Sequence, residues 1–180
     1  MWRTMAVALP MMLIACGGNK DEESTGPAAA DCSDPAYNPW AGTCVETFNA
    51  DCFDPTGECN GMFDQATGST TLEWASGASV ETSINPATFG ATTEIYSSTG
   101  ALCSTGESAN NVGGCGSQTI YTRASDGAQM TFCIQLDGSM EVTCPDGSTH
   151  SASSTDQGAS DCQYGDAEPC TIEGLPTASY

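Results

Sequence analysis

The chain has 180 residues, enough for one domain rather than several. Its 23 acidic side chains stand against three basic ones and a single histidine, a formal charge of −20. Nucleic acid is excluded as a partner, because phosphate contacts are made by Lys and Arg; the electrostatic match is a cationic partner or divalent ions. The same acidity keeps an exposed protein soluble.

The first predicted element is the run MWRTMAVALPMMLIA, in which Arg3 precedes an apolar stretch from Met5 to Ala15 broken only by Pro10. It is shorter than the roughly 20 apolar residues a membrane-spanning helix needs. A positive start, a short apolar core and a small residue before a break are instead the layout of a secretory signal. The run closes as Leu13-Ile14-Ala15-Cys16. This resembles the lipobox of bacterial lipoproteins, and the resemblance covers residues 1–20 only. It implies a diacylglycerol on the Cys16 thiol, cleavage before Cys16, and palmitate-type acyl chains that hold the protein to a membrane. A thiolate is the best nucleophile available for that thioether, and two or more chains anchor stably where one does so marginally. Gly17, in place of an aspartate, is compatible with sorting to the outer membrane.

Residues 1–15 are therefore expected to be a lipoprotein signal peptide. Residues 16–30, with GGNKDEESTGPAAA after the cysteine, are expected to be an acylated flexible tether. Its reach as a random coil is on the order of 20 Å. With the signal removed, Lys20 and Arg123 are the only basic side chains left.

Residues 31–61 form a Cys-rich loop segment in which DCSDPAYNPWAGTC and DCFDPTGEC share the pattern D-C-x-D-P followed by a second cysteine. Beyond Cys16 the cysteines are Cys32, Cys44, Cys52, Cys59, Cys103, Cys115, Cys133, Cys144, Cys162 and Cys170. An even set in an exported chain reads as a disulfide framework. The simplest staples are Cys32–Cys44, Cys52–Cys59 and, in the tail, Cys162–Cys170. Zinc is the rival use of clustered cysteines, but no C-x-x-C pair occurs. Short helical turns are expected around Val45–Asn49 or Met62–Gln65.

Residues 62–180 are expected to be an antiparallel β-domain with a stapled tail, strand-like from residue 69. The fold class is mainly β, a disulfide-rich antiparallel meander closed as a sandwich or a small barrel, preceded by the loop-rich Cys-rich segment. Two residues and a glycine recur between alternating runs, as in WASGAS, SSTGAL, ASDGAQ, QLDGSM and CPDGST. A two-residue turn at Asp137-Gly138 would set Ile134 opposite Glu141 and mix the faces. A three-residue loop over 136–138, a type I turn closed by a left-handed glycine, sets Ile134 opposite Met140 and Phe132 opposite Val142. The same parity pairs Leu72 with Val80, Tyr96 with Leu102 and Ile120 with Phe132. Met130, Phe132, Ile134 and Leu136 then share one apolar face, and Cys133 projects away from it, so a Cys133–Cys144 bridge is disfavoured. Trp74 alternates with Leu72 as core. Trp40 is either packed within the Cys-rich segment or exposed as a sugar contact.

Asp31, Asp34, Asp51, Asp54 and Glu58 are the candidate ligands of a structural calcium ion, which takes six to eight oxygens. Their spacing is not that of an EF-hand, and Asp before Pro is also a turn former. No other cofactor is expected. His150 is the only histidine a nucleophilic triad could use, and no G-x-S-x-G elbow accompanies it.

The functional expectation is a membrane-anchored cell-envelope lipoprotein. It acts without catalysis as a binding, adhesion or structural module, its partner a cationic protein or a glycan. The alternatives are an acidic protein that sequesters a cationic, envelope-attacking partner, and a small carboxylate-dependent envelope hydrolase.

Overall fold

A computed structural model describes residues 39–152 and 170–173. One short helix, α1 (Cys44–Thr47), is followed by ten strands: β1 (Cys59–Asp64), β2 (Ser69–Trp74), β3 (Ser79–Ile84), β4 (Ala91–Tyr96), β5 (Leu102–Val112), β6 (Cys115–Arg123), β7 (Gln129–Ile134), β8 (Met140–Thr143), β9 (Thr149–Ala152) and β10 (Cys170–Glu173). All belong to one sheet of order β10-β1-β2-β3-β4-β5-β6-β7-β8-β9. From β1 to β9 each strand pairs antiparallel with the next, and β10 lies parallel to β1. The expected meander is present. Its strand order is linear, with β9 and β10 at the two edges, so what strand count left open as sandwich or barrel is a single sheet.

Loop chemistry sets the register. Three-residue loops over 75–77, 98–100, 136–138 and 145–147 each end in a glycine of positive φ, between 77° and 90°. Each is closed by bonds such as Gln135 N to Ser139 O at 2.8 Å and Cys144 N to Ser148 O at 2.8 Å. The expected pairs Leu72–Val80, Tyr96–Leu102, Ile134–Met140 and Phe132–Val142 all form. In the last two loops the Asp before the glycine accepts from the backbone two residues on, Asp137 from Ser139 N and Asp146 from Ser148 N, both at 2.9 Å. The Ser139 and Ser148 hydroxyls also donate to these carboxylates at 2.7 Å, and those bonds first, then the backbone ones, hold both below the usual aspartate range.

One expected register is wrong by a residue. Gly127 N donates to Arg123 O at 2.8 Å and Arg123 N to Ala128 O at 2.9 Å, so the β6–β7 loop has four residues, 124–127. Phe132 therefore faces Thr119, and Tyr121 faces Met130. Tyr121, not Ile120, is the core residue of β6, at 3% exposure. Its ring lies over Gly106, directly opposite on β5, where a Cβ would meet it at 2.7 Å.

The same loop carries the strongest local electrostatics. Arg123 reaches Asp126 through Nη2 at 2.6 Å and Nε at 2.9 Å. Those bonds, then the Ala128 backbone, lower the Asp126 pKa from 3.8 to about 2. A folded value below the unfolded one contributes stability that is complete above pH 3.8 and disappears as pH falls through about 2. A side-chain NMR titration of Asp126 is expected to show its midpoint near 2, and D126N to remove that step from the acid limb of unfolding. A midpoint at 3.8 or above contradicts the pair.

The Cys-rich segment lies across one face of the sheet rather than closing on itself. Cys44 is bridged to Cys144 and Cys52 to Cys103. The local staples Cys32–Cys44 and Cys52–Cys59 therefore do not form; Cys59 is disulfide-bonded, buried, and opens β1. Cys115 pairs with Cys133, which, as expected, points away from Phe132 and does not join Cys144. Cys32 and Cys162 lie outside the described residues. The segment buries Trp40 at 1% exposure and Phe48 at 3%, with Trp40 edge-on to Phe132 at 6.0 Å and Phe53 edge-on to Trp74 at 5.4 Å. A sugar-contact role for Trp40 is thereby overturned. The helical turn falls at 44–47, where Thr43 caps Val45 N at 3.2 Å; residues 62–64 belong to β1 instead. Leu136 is not on the apolar face but at a loop tip, 87% exposed.

Candidate binding surfaces

The face opposite the Cys-rich segment carries the charge. Glu81 on β3 lies directly opposite Glu94 on β4. Glu73 on β2 is opposite Ser79, two residues from Glu81, and Glu107 on β5 is opposite Thr92, two residues from Glu94. Paired residues, and residues two apart on a strand, share a face. Four carboxylates on four consecutive strands therefore form one zigzag row, with diagonal neighbours about 7–8 Å apart. Thr71 and Thr105 flank it through direct pairing. Tyr96 closes one side, its hydroxyl donating to Glu94 Oε2 at 3.1 Å. That bond first, then desolvation and the negative charge of Glu94 and Glu81, raises the tyrosine pKa.

Like charges directly opposite in a sheet are destabilising, and among the described residues no cation is placed to relieve them. Arg123 is the only Lys or Arg among the described residues. It is held on the other side, in its ion pair with Asp126, donating to Phe48 O at 3.2 Å and stacked 5.3 Å over the Phe48 ring. His150 is also on the core-side face, opposite Val142. The glutamate row was not read from the sequence. Loop parity places Glu73 and Glu81 on one face, but the β3–β4 loop NPATFG follows no three-residue rule, so Glu94 and Glu107 could not be brought into register.

The candidate calcium ligands do not converge among the described residues, where no group of three His, Cys, Asp or Glu side chains is placed to hold a metal. Asp31 and Asp34 lie outside those residues. Asp54 accepts from Ser98 N at 2.8 Å, which ties the Cys-rich segment to the β4–β5 loop; the Ser98 side chain first, then this backbone bond, lowers its pKa. Asp51 acts on the charge of Arg123, and Glu58 is exposed at the entry to β1.

His150 Nε2 stands 3.5 Å from Ser148 Oγ, but that hydroxyl donates to Asp146 Oδ1 at 2.7 Å. A hydroxyl has one proton, so this serine directs it to the carboxylate and not to the imidazole. The arrangement braces the β8–β9 turn. It is not that of a base-activated nucleophile, in which the serine proton is taken by the histidine.

No family model matches the chain, and neither the curated proteins nor the solved structures include one similar to it.

Proposed function

We propose that this chain is an exported, lipid-anchored binding module of the cell envelope, and that its glutamate row takes a cationic partner. The lipobox-like Leu13-Ile14-Ala15-Cys16 supports the anchor through Cys16. Disulfide pairing supports export to an oxidising compartment. The observation that carries the binding reading is the row Glu73–Glu81–Glu94–Glu107, open on a sheet face and without a Lys or Arg beside it among the described residues.

A basic side chain laid between Glu81 and Glu94 relieves a repulsion the free protein carries. Binding and stability are thus opposed at this pair. E81Q/E94Q is expected to raise stability by about 0.5 kcal/mol at low salt. It should also weaken binding of a Lys-rich probe peptide at least about tenfold, or ~1.4 kcal/mol. The binding difference should shrink as ionic strength rises. Calorimetric titration of the two proteins decides it: equal affinity for the peptide at low salt sinks the reading. Sequestration of a basic, envelope-attacking protein is the specific form of binding that this acidic row favours.

A further inference from the structure

Loops of a meander alternate between its two ends. The β2–β3, β4–β5, β6–β7 and β8–β9 loops share the end to which the Cys-rich segment is fastened, by Cys44–Cys144, Cys52–Cys103 and the Asp54–Ser98 bond. The β3–β4, β5–β6 and β7–β8 connections share the opposite end, and each presents a large apolar side chain to solvent: Phe89 at 57% exposure, Val112 at 40% and Leu136 at 87%. These connections adjoin one another. Asn110 Nδ2 donates to Phe89 O at 3.1 Å, and Leu136 Cδ2 lies 3.1 Å from where a Cβ on Gly116 would stand.

Phe89 is there at a structural cost. The β1–β2, β3–β4 and β6–β7 loops each have four residues, closed by Gly68 N to Asp64 O, Phe89 N to Asn85 O and Gly127 N to Arg123 O, all at 2.8 Å. DQATG and NPATF are built alike, with Ala66 N donating to Asp64 Oδ1 at 2.8 Å and Ala87 N to Asn85 Oδ1 at 2.9 Å. The last loop residue has positive φ in all three: 69° at Gly68, 71° at Gly127 and 54° at Phe89. Two loops put glycine there, the residue that enters this region without penalty. The third puts a bulky aromatic there, with its ring in water. Glycine would take this conformation at lower cost, and such strain clusters at functional sites.

The charge of this end selects the occupant. Among the described residues, Asp64 at the end of β1 and Asp137 in the β7–β8 loop are the charged side chains flanking these loops, and Arg123 is at the other end of β6. Anionic lipid and a second copy of this acidic chain are repelled. We propose that the Phe89–Val112–Leu136 end docks a basic amphipathic peptide segment, its apolar side chains against these three and its basic ones toward Asp137 and Asp64. This goes beyond the glutamate row and stands on different residues.

The test uses the mature chain and a labelled amphipathic Lys–Leu peptide, with an oligolysine peptide and anionic phospholipid vesicles as comparison probes. F89G and L136S are each expected to weaken Lys–Leu binding at least about fivefold, or ~1 kcal/mol. Oligolysine binding should not change, and F89G should melt at the same temperature as the parent or higher. E81Q/E94Q is expected to weaken oligolysine binding while the dependence on Phe89 and Leu136 persists, so the two surfaces fail separately. Equal Lys–Leu affinity in parent, F89G and L136S overturns the proposal. So does a lower melting temperature for F89G, which would make Phe89 a structural residue, or variant-dependent binding to the vesicles rather than to the peptide.

Discussion

C44S/C144S is expected to lose about 4 kcal/mol of stability, level with C52S/C103S and more than C115S/C133S. The Cys44–Cys144 bridge spans 100 residues, Cys52–Cys103 spans 51 and Cys115–Cys133 spans 18. Loop-closure entropy taken alone assigns these about 4.7, 4.1 and 3.2 kcal/mol. The second bridge is nested inside the first, so with it intact the loop closed by Cys44–Cys144 is about half as long and the expected loss falls toward 4. Denaturant melts of the three paired Cys→Ser variants check the order. A loss below about 1 kcal/mol for C44S/C144S would mean that packing alone holds the segment on the sheet.

W40A is expected to cost nearly as much. Trp40 is 1% exposed, meets Phe132 edge-on at 6.0 Å, and belongs to the cluster that holds Phe48, Tyr121, Met130 and Val142. Truncating a buried Trp costs about 3–5 kcal/mol when the surroundings cannot collapse. Here they cannot: the chain four residues on is fixed by Cys44–Cys144, and Thr43 Oγ1 donates to Trp40 O at 2.6 Å. Because both changes loosen the same contact, W40A combined with C44S/C144S should lose less than the sum of the two. Full additivity would place Trp40 outside the stapled layer.

What could be read from the chain was what a short-range rule decides. Loop length, glycine position and the period of two in a strand gave the pairs around 75–77, 98–100 and 136–138, because a type I turn with a left-handed glycine admits one parity. The same tripeptide logic failed at ASDG because Asp126 is held by Arg123 inside a four-residue loop. Nothing in three letters distinguishes that loop from LDG. β1 was hidden because CNGMFD has neither alternation nor β-branched residues, and it forms by pairing with β2. Disulfide partners were misjudged by favouring nearby cysteines. Cys44 and Cys52 find theirs 100 and 51 residues away because the segment crosses a finished sheet. The glutamate row depended on two strand registers at once, and so on a loop, NPATFG, whose glycine position is filled by Phe89.

The proposal that the chain is an anchored, oxidised display module is tested most directly by intact mass. Protein recovered from its own membrane should be weighed with thiol alkylation before and after reduction. The predicted result is acyl mass on an N-terminal Cys16 and cysteines that alkylate only after reduction, with C44S/C144S still anchored but destabilised. An unacylated chain that keeps residues 1–15, or a defined pair of thiols free before reduction, would contradict the account.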